Sequence, residues 1–242
     1  MKYEGNLFKD GFIVFRNAVD KSIANKIYSD IIKSQKKLAN KLSIPLNKGL
    51  IKNGLGIEKN SIKYLKNPAI WFPSVNKILQ LNILNFVKNI TKTDLYIDNI
   101  ELHQKSPGIS GTPPHQDNFY FGLDLKKNIA VTLYFALNKQ VHKSGGLGFY
   151  PGSHKHEFKH NISKVTAFSS GIDFEDLSKF KLYTPSLNSG DVVIHHCNIV
   201  HTASKNLSKT IRSNIAVRLF PNNPKYNKNI QKQYLKLKKK LI

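Results

Sequence analysis

Residues 189–220 read SGDVVIHHCNIVHTASKNLSKTIRSNIAVRLF. A Gly-Asp turn leads into a short apolar run, several histidines follow, and after a polar stretch Arg212 stands at the head of a second apolar run. Runs this short, bounded by Gly and small polar residues, read as strands rather than as one face of a helix. The same texture holds from about residue 94 onward, in "LYIDNIEL", "NIAVTLYFAL" and "GGLGFYPGSH". Upstream, "LFKDGFIVFRNAV" packs Phe12, Ile13, Val14 and Phe15 behind a glycine, which suits a short buried strand. Asp20 and Ser22 are N-cap candidates for a helix over about 21–42, with Ile23, Ile27, Ile31, Leu38 and Leu42 on its buried stripe. A second helix is predicted from near Ser74, burying Val75, Ile78, Leu79, Ile83, Phe86, Val87 and Ile90; "NKGLIKNGLGIEKN", between the two, reads as a loop. Helices followed by many short strands predict a mainly β fold, a barrel or sandwich with helices packed outside. The chain is expected to form one domain over residues 1–242, with no internal repeat. Its basic tail, from about 222 to 242, is expected to lie on the surface as a frayed helix without a chemical role.

The bulk composition limits the possible functions. With 40% hydrophobic and 10% aromatic residues, 242 residues suffice for one sizeable core. The longest apolar run, "IAVTLYFAL", is too short to span a bilayer and no signal-peptide pattern is present, so a cytoplasmic protein is expected. Cys197 is the single cysteine, which excludes an internal disulfide and a thiolate cluster; any metal must be held by histidine and carboxylate. The formal charge of +23 suits an anionic partner. Yet Arg16, Arg212 and Arg218 are the only arginines, and lysine, asparagine and isoleucine dominate as in an AT-rich genome. A lysine-rich surface points away from sequence-specific nucleic-acid recognition, which favours arginine's rigid fork.

In "PPHQDNFYFG", residues 113–122, His115 and Asp117 are two apart, so on a strand both face one point while Gln116 faces away. Phe119 and Phe121 continue that alternation and are expected to wall the same pocket. One such triplet is weak by itself. A third ligand from 189–220 would complete two histidines and a carboxylate on one face of a metal, the set used by non-haem Fe(II) oxygenases because it leaves positions open.

Taken together, "PPHQD", "GGLGFYPGSHK", "GDVVIHH", His201 with Asn206 and Ser208 in "HTASKNLS", and then Arg212 resemble, in order, the phytanoyl-CoA dioxygenase group of Fe(II)- and 2-oxoglutarate-dependent oxygenases. With the N-terminal "DGFIVFRN" the resemblance covers nearly the whole chain. It implies a double-stranded β-helix, a cupin-like jelly roll with flanking α-helices, and a site with Fe(II), 2-oxoglutarate as cosubstrate and O2. His115, Asp117 and His201 correspond to the iron ligands. Arg212 corresponds to the clamp for the far carboxylate of 2-oxoglutarate, for which a planar guanidinium is suited; Arg218, on the same strand, ranks second. Lys105 in "QKSPG" matches a lysine that touches 2-oxoglutarate in some relatives, and Tyr134 in "LYFAL" falls where relatives often have a tryptophan; both are candidates to bind the cosubstrate, and they also read as a solvated lysine and a core aromatic. Many relatives have a serine where this chain has Ala203.

The resemblance implies hydroxylation of a C–H bond of a small substrate, since relatives that halogenate replace the carboxylate that Asp117 keeps. Relatives act on acyl-CoA thioesters, compatible solutes and aminoalkyl phosphonates, and the positive charge favours an anionic one. Two other readings compete: a jelly roll without turnover that binds an anionic ligand or nucleic acid, and a hydrolytic zinc enzyme, in which Arg212 has no evident role. His195 or His196 is a candidate to line the pocket or orient a ligand, and both also read as core and surface residues. His142, His154, His156 and His160 are expected to be exposed and Cys197 buried.

Overall fold

The computed structural model describes residues 2–42, 55–58, 61–80, 82–163 and 170–240. In chain order, β1 (Tyr3–Asn6) and β2 (Phe12–Phe15) precede the long helix α1 (Lys21–Leu42), followed by the hairpin β3 (Leu55–Glu58) and β4 (Ser61–Lys66). Short helical turns, α2 (Asn76–Leu79) and α3 (Ile83–Thr91), lead to β5 (Leu95–Lys105), β6 (Thr112–His115), the single turn α4 (Asn118–Phe121), β7 (Val131–Ala136) and β8 (Leu147–Phe149). Then come β9 (Asn161–Ile162), β10 (Ser170–Gly171), β11 (Val192–His196), β12 (His201–Ala203), β13 (Arg212–Pro221) and α5 (Lys228–Lys239).

The strands form an eight-stranded sheet in the order β1-β2-β11-β7-β13-β5-β4-β3, a three-stranded sheet β6-β12-β8, and the small pair β9-β10, with antiparallel pairing throughout. This is the predicted jelly-roll arrangement, left open: among the described residues no strand pairing joins the two larger sheets into a barrel.

Period-two alternation divides the large sheet into two faces. Val131, Leu133 and Phe135 of β7 and Ile215, Val217 and Leu219 of β13 share one core cluster with Ile27 and Ile31 of α1 and Val87 of α3. The alternates Tyr134 and Ala136 of β7, with Val193 of β11, pack with Leu147 and Phe149 of the small sheet. Covering both faces explains the unbroken apolar runs, and each fully buried Leu or Ile contributes about 1.5–3 kcal/mol. On β5 the pairing with β13 shifts register between Arg218 and Leu219, leaving Asp98 as an extra residue. Beyond this bulge Ile100 and Leu102 turn to the helices, while Glu101, His103 and Lys105 face the cavity.

Several expectations change. The first helix runs as predicted, with the Asp20 carboxylate accepting from the Ser22 amide at 2.7 Å. The predicted second helix is broken into Pro73–Val75, α2 and α3; the apolar stripe survives the break, since Ile78 and Ile83 are both buried, and Asn82 starts the last piece. Part of the predicted loop at 47–60 is β3, stabilised by pairing with β4, and the rest lies outside the described residues. The basic tail is not a detached helix. Asn227 caps α5 by accepting from the Asn229 and Ile230 amides, and Ile230 and Leu237 are buried in one cluster with Phe119. Among the described residues, no helix is long and apolar enough to cross a membrane.

Candidate metal centre and its cavity

His115 ends β6 and pairs directly with His201, which begins β12. Asp117 does not continue the strand: its backbone is helical (φ −58°, ψ −34°), and it precedes the turn α4. The chain turns there because Gln116 is pinned. Its side-chain nitrogen donates to the carbonyls of His156 and Asn198, at 2.8 and 2.7 Å, and its oxygen accepts from the Phe158 amide at 3.2 Å. The three predicted ligands nevertheless converge, with one potential donor atom from each lying within 4.8 Å of the others. Asp117 Oδ1 lies 3.6 Å from His115 Nε2 and 3.7 Å from His201 Nε2.

The tautomers follow from hydrogen bonding. His115 Nδ1 lies 2.9 Å from the Pro113 carbonyl and His201 Nδ1 3.1 Å from that of Ile199. A carbonyl can only accept, so each Nδ1 carries the proton and each Nε2 presents a lone pair towards Asp117. Burial, reinforced by the neighbouring His201, pushes His115 down to about 4, and burial lowers His201 as well. Burial opposes ionisation of Asp117, but the positive charge that His201, His195 and His115 can take up, with that of Arg218, draws the carboxyl down to about 2. Thr132 Oγ1 donates to its other oxygen at 3.4 Å. Two neutral imidazoles and one carboxylate, with backbone carbonyls orienting the rings, fit an Fe(II) ion.

The triad opens on a cavity of about 290 Å3 between the sheets, near the lower end of small-molecule sites, which run from about 300 to 1,000 Å3. Arg212 and Lys105, facing partners on β13 and β5, both line it. Arg212 donates from Nε to the Gly145 carbonyl at 3.1 Å and from Nη1 to Asn214 Oδ1 at 2.5 Å. No described residue engages its Nη2. Lys105 is buried, not solvated: Nζ donates to the Ser204 carbonyl at 2.8 Å, and burial, with the charges of Arg212 and Lys63, pushes it down to about 6. Tyr134 also lines the cavity, its hydroxyl 2.5 Å from Gln140 Oε1, and burial raises its pKa. Ala203 lines the wall where a serine was noted as missing.

Of the remaining candidates, His195 faces the cavity with its ring centroid 4.8 Å from that of His201, whereas His196 packs against His154. Among the described residues no hydrogen-bond partner meets His195 Nδ1. His142 and His156 are exposed as expected, but His154 and His160 are buried; His160 stacks on Phe119 at 4.1 Å, and its Nε2 accepts from the Gln116 amide at 3.1 Å. Cys197 is buried. Because residues after Asp117 are helical, Phe119 points away into the α5 contact, while Tyr120 and Phe121 line the cavity.

Sequence reasoning missed Tyr64, Glu101 and His103. Glu101, almost fully buried, accepts from the Tyr64 hydroxyl at 2.7 Å, from Asn99 at 2.6 Å and from Arg218, and its other oxygen lies 2.8 Å from His103 Nε2. Burial opposes its ionisation, but His103 and Arg218 hold it at about 2. A signal was available in "NIELHQK", where polar residues at every second position lead to Lys105.

Among proteins of known structure, the chain resembles the epimerase SnoN in complex with Fe3+, α-ketoglutarate and nogalamycin RO, at 17% identity over 91% of this chain and 82% of that one, with a TM-score of 0.69. The carbocyclase SnoK from nogalamycin biosynthesis superposes with a TM-score of 0.68 at 17% identity, over 95% of this chain and 87% of that one. At this identity the likeness establishes the fold. In sequence, phytanoyl-CoA dioxygenase 1 of Oryza sativa subsp. japonica is 31% identical over 120 residues, 48% of this chain and 41% of the rice protein, so the match spans less than half of that relative. The model of the phytanoyl-CoA dioxygenase (PhyH) family matches residues 8–214, from before β2 to the third residue of β13. Matched over most of its length, the chain belongs to the phytanoyl-CoA dioxygenase family.

Proposed function

We propose that the protein is a non-haem Fe(II)- and 2-oxoglutarate-dependent dioxygenase that hydroxylates a C–H bond of a small anionic substrate. The observation that carries this reading is the placement of Arg212 and Lys105 in the same cavity as the His115, Asp117 and His201 donor set. His115 and His201 hold the metal through Nε2 and Asp117 through its carboxylate. Bound there, iron and 2-oxoglutarate supply the coupled use of O2, in which loss of CO2 leaves succinate and a C–H bond of the substrate is oxidised.

The chain's own residues bind and orient. Arg212 is fixed by Gly145 and Asn214, so Nη2 is already aimed when the far carboxylate arrives. Lys105 adds a second donor beside it, and Tyr134, held by Gln140, forms the adjoining wall. Asp117 keeps the carboxylate that a halide site would need to vacate, which supports hydroxylation. An anaerobic titration tests the assignment: the wild type is expected to bind one Fe(II) per chain, to bind 2-oxoglutarate in a metal-dependent way, and to form succinate in air. Unchanged iron content and succinate formation in His115→Ala or Asp117→Ala would overturn it.

A further inference from the structure

Alternate residues of β13 place both of its arginines in the cavity, and six residues at about 3.3 Å each separate them by roughly 20 Å along the strand. Arg212 stands at the end already described. Arg218 pairs across the sheet with Thr132, whose hydroxyl reaches Asp117, so Arg218 lies beside the metal donors on the side away from Arg212. It also lies outside the span that matches the family model.

The surroundings of Arg218 are built for a purpose that the cosubstrate does not explain. Its Nη2 donates to Glu101, and its guanidinium lies 5.5 Å from the centroid of the Phe121 ring. Tyr64, Asn99 and Arg218 converge on Oε1 of Glu101, and His103 Nε2 lies at Oε2. The carboxylate therefore holds the arginine in place. Nε and Nη1 of Arg218 engage no described residue. The adjoining walls, Tyr120 and Phe121, are aromatic.

We propose that Arg218, held by Glu101, anchors an oxyanion of the substrate, a carboxylate, phosphate or phosphonate, with the substrate's apolar part against Phe121 and Tyr120. The assignment rests on the reading of the Arg212 end as the cosubstrate end. A fork with two open donor positions suits a planar or tetrahedral oxyanion and rejects an ammonium group.

The test uses protein loaded with Zn(II), which blocks turnover, titrated calorimetrically with hexanoate, hexylphosphonate, hexan-1-ol and hexylamine, with and without saturating 2-oxoglutarate. The two anions are expected to bind at least about tenfold more tightly than the alcohol or the amine, as a charged hydrogen bond provides. The tighter anion identifies the source of the oxyanion. Arg218→Gln is expected to lose the preference and Arg218→Lys to recover part of it, while 2-oxoglutarate affinity stays within about twofold of wild type. Because Arg218→Gln strips one donor from a buried carboxylate, the double variant Arg218→Gln with Glu101→Gln is measured beside it and is expected to show the same loss. Equal binding of the alcohol and the anions by wild type, or an undiminished anion preference in both variants, overturns the proposal. Failure of the wild type to bind 2-oxoglutarate overturns the cosubstrate reading instead, and the anion series without it still decides the role of Arg218.

Discussion

Replacing Arg212 by methionine separates recognition of the far carboxylate from everything else that 2-oxoglutarate binding requires. The side chain is 6% exposed, two of its nitrogens are committed to Gly145 and Asn214, and Nη2 remains for the ligand. A hydrogen bond to a charged group contributes about 1.5–3 kcal/mol, so the dissociation constant of 2-oxoglutarate is expected to rise about 10- to 150-fold, at 1.4 kcal/mol per tenfold. The Asn214 oxygen and the Gly145 carbonyl lose a donor, and each buried group left unpaired costs about 1–3 kcal/mol, so urea stability should fall as well. The control is 2-oxobutyrate, which has the 2-oxo acid group but no far carboxylate. Calorimetry on Zn(II)-loaded protein should show wild type binding 2-oxobutyrate more weakly than 2-oxoglutarate, with Arg212→Met abolishing that difference. If the variant weakens both acids equally, Arg212 acts through the fold and the clamp is refuted.

Three further outcomes follow from the same geometry. Lys105, at about 6, is mostly neutral at pH 7.5; a bound carboxylate raises its pKa, so binding takes up a proton and 2-oxoglutarate affinity falls as pH rises above about 6, by at most about tenfold per unit. Calorimetry in phosphate and Tris should reveal this uptake in wild type and not in Lys105→Met. Gly190 has φ +91°, and a Cβ there would lie 2.3 Å from the Val19 carbonyl oxygen; Gly190→Ala should lower stability by about 2 kcal/mol or more, read as a lower urea midpoint at constant slope. Tyr234→Ala removes the ring 5.7 Å from that of Tyr120 and should weaken hexanoate binding while leaving the iron content of the loaded protein at one per chain.

The convergence of the three candidate donors was legible in the sequence, but the local reason for it was not. His115 and Asp117 read as alternate residues of one strand, whereas the chain leaves the strand at Gln116 and the carboxylate arrives by a helical turn. What bends the chain is a set of contacts from Gln116 to residues some 40 and 80 positions away, and no local pattern reports those. The same limit hid Glu101, whose partners come from β4, β5 and β13. Strands with both faces buried announced themselves as apolar runs, which is why β2, β7, β11 and β13 were recognisable. Short β3 and β4 have no such run, and β3 is defined by its pairing with β4.

The order of strands in the large sheet also governs how the chain can be made. β7, at Val131–Ala136, takes its neighbours from Val192–His196 on one side and Arg212–Pro221 on the other. During synthesis it emerges with two open edges and waits for some 60 to 80 further residues before either is covered, while Phe12–Phe15 waits longer for β11. Such sequence-distant pairing folds slowly and leaves apolar strand edges available to other chains. Nascent chains stalled before β13 are therefore the species most exposed to aggregation and most in need of a chaperone.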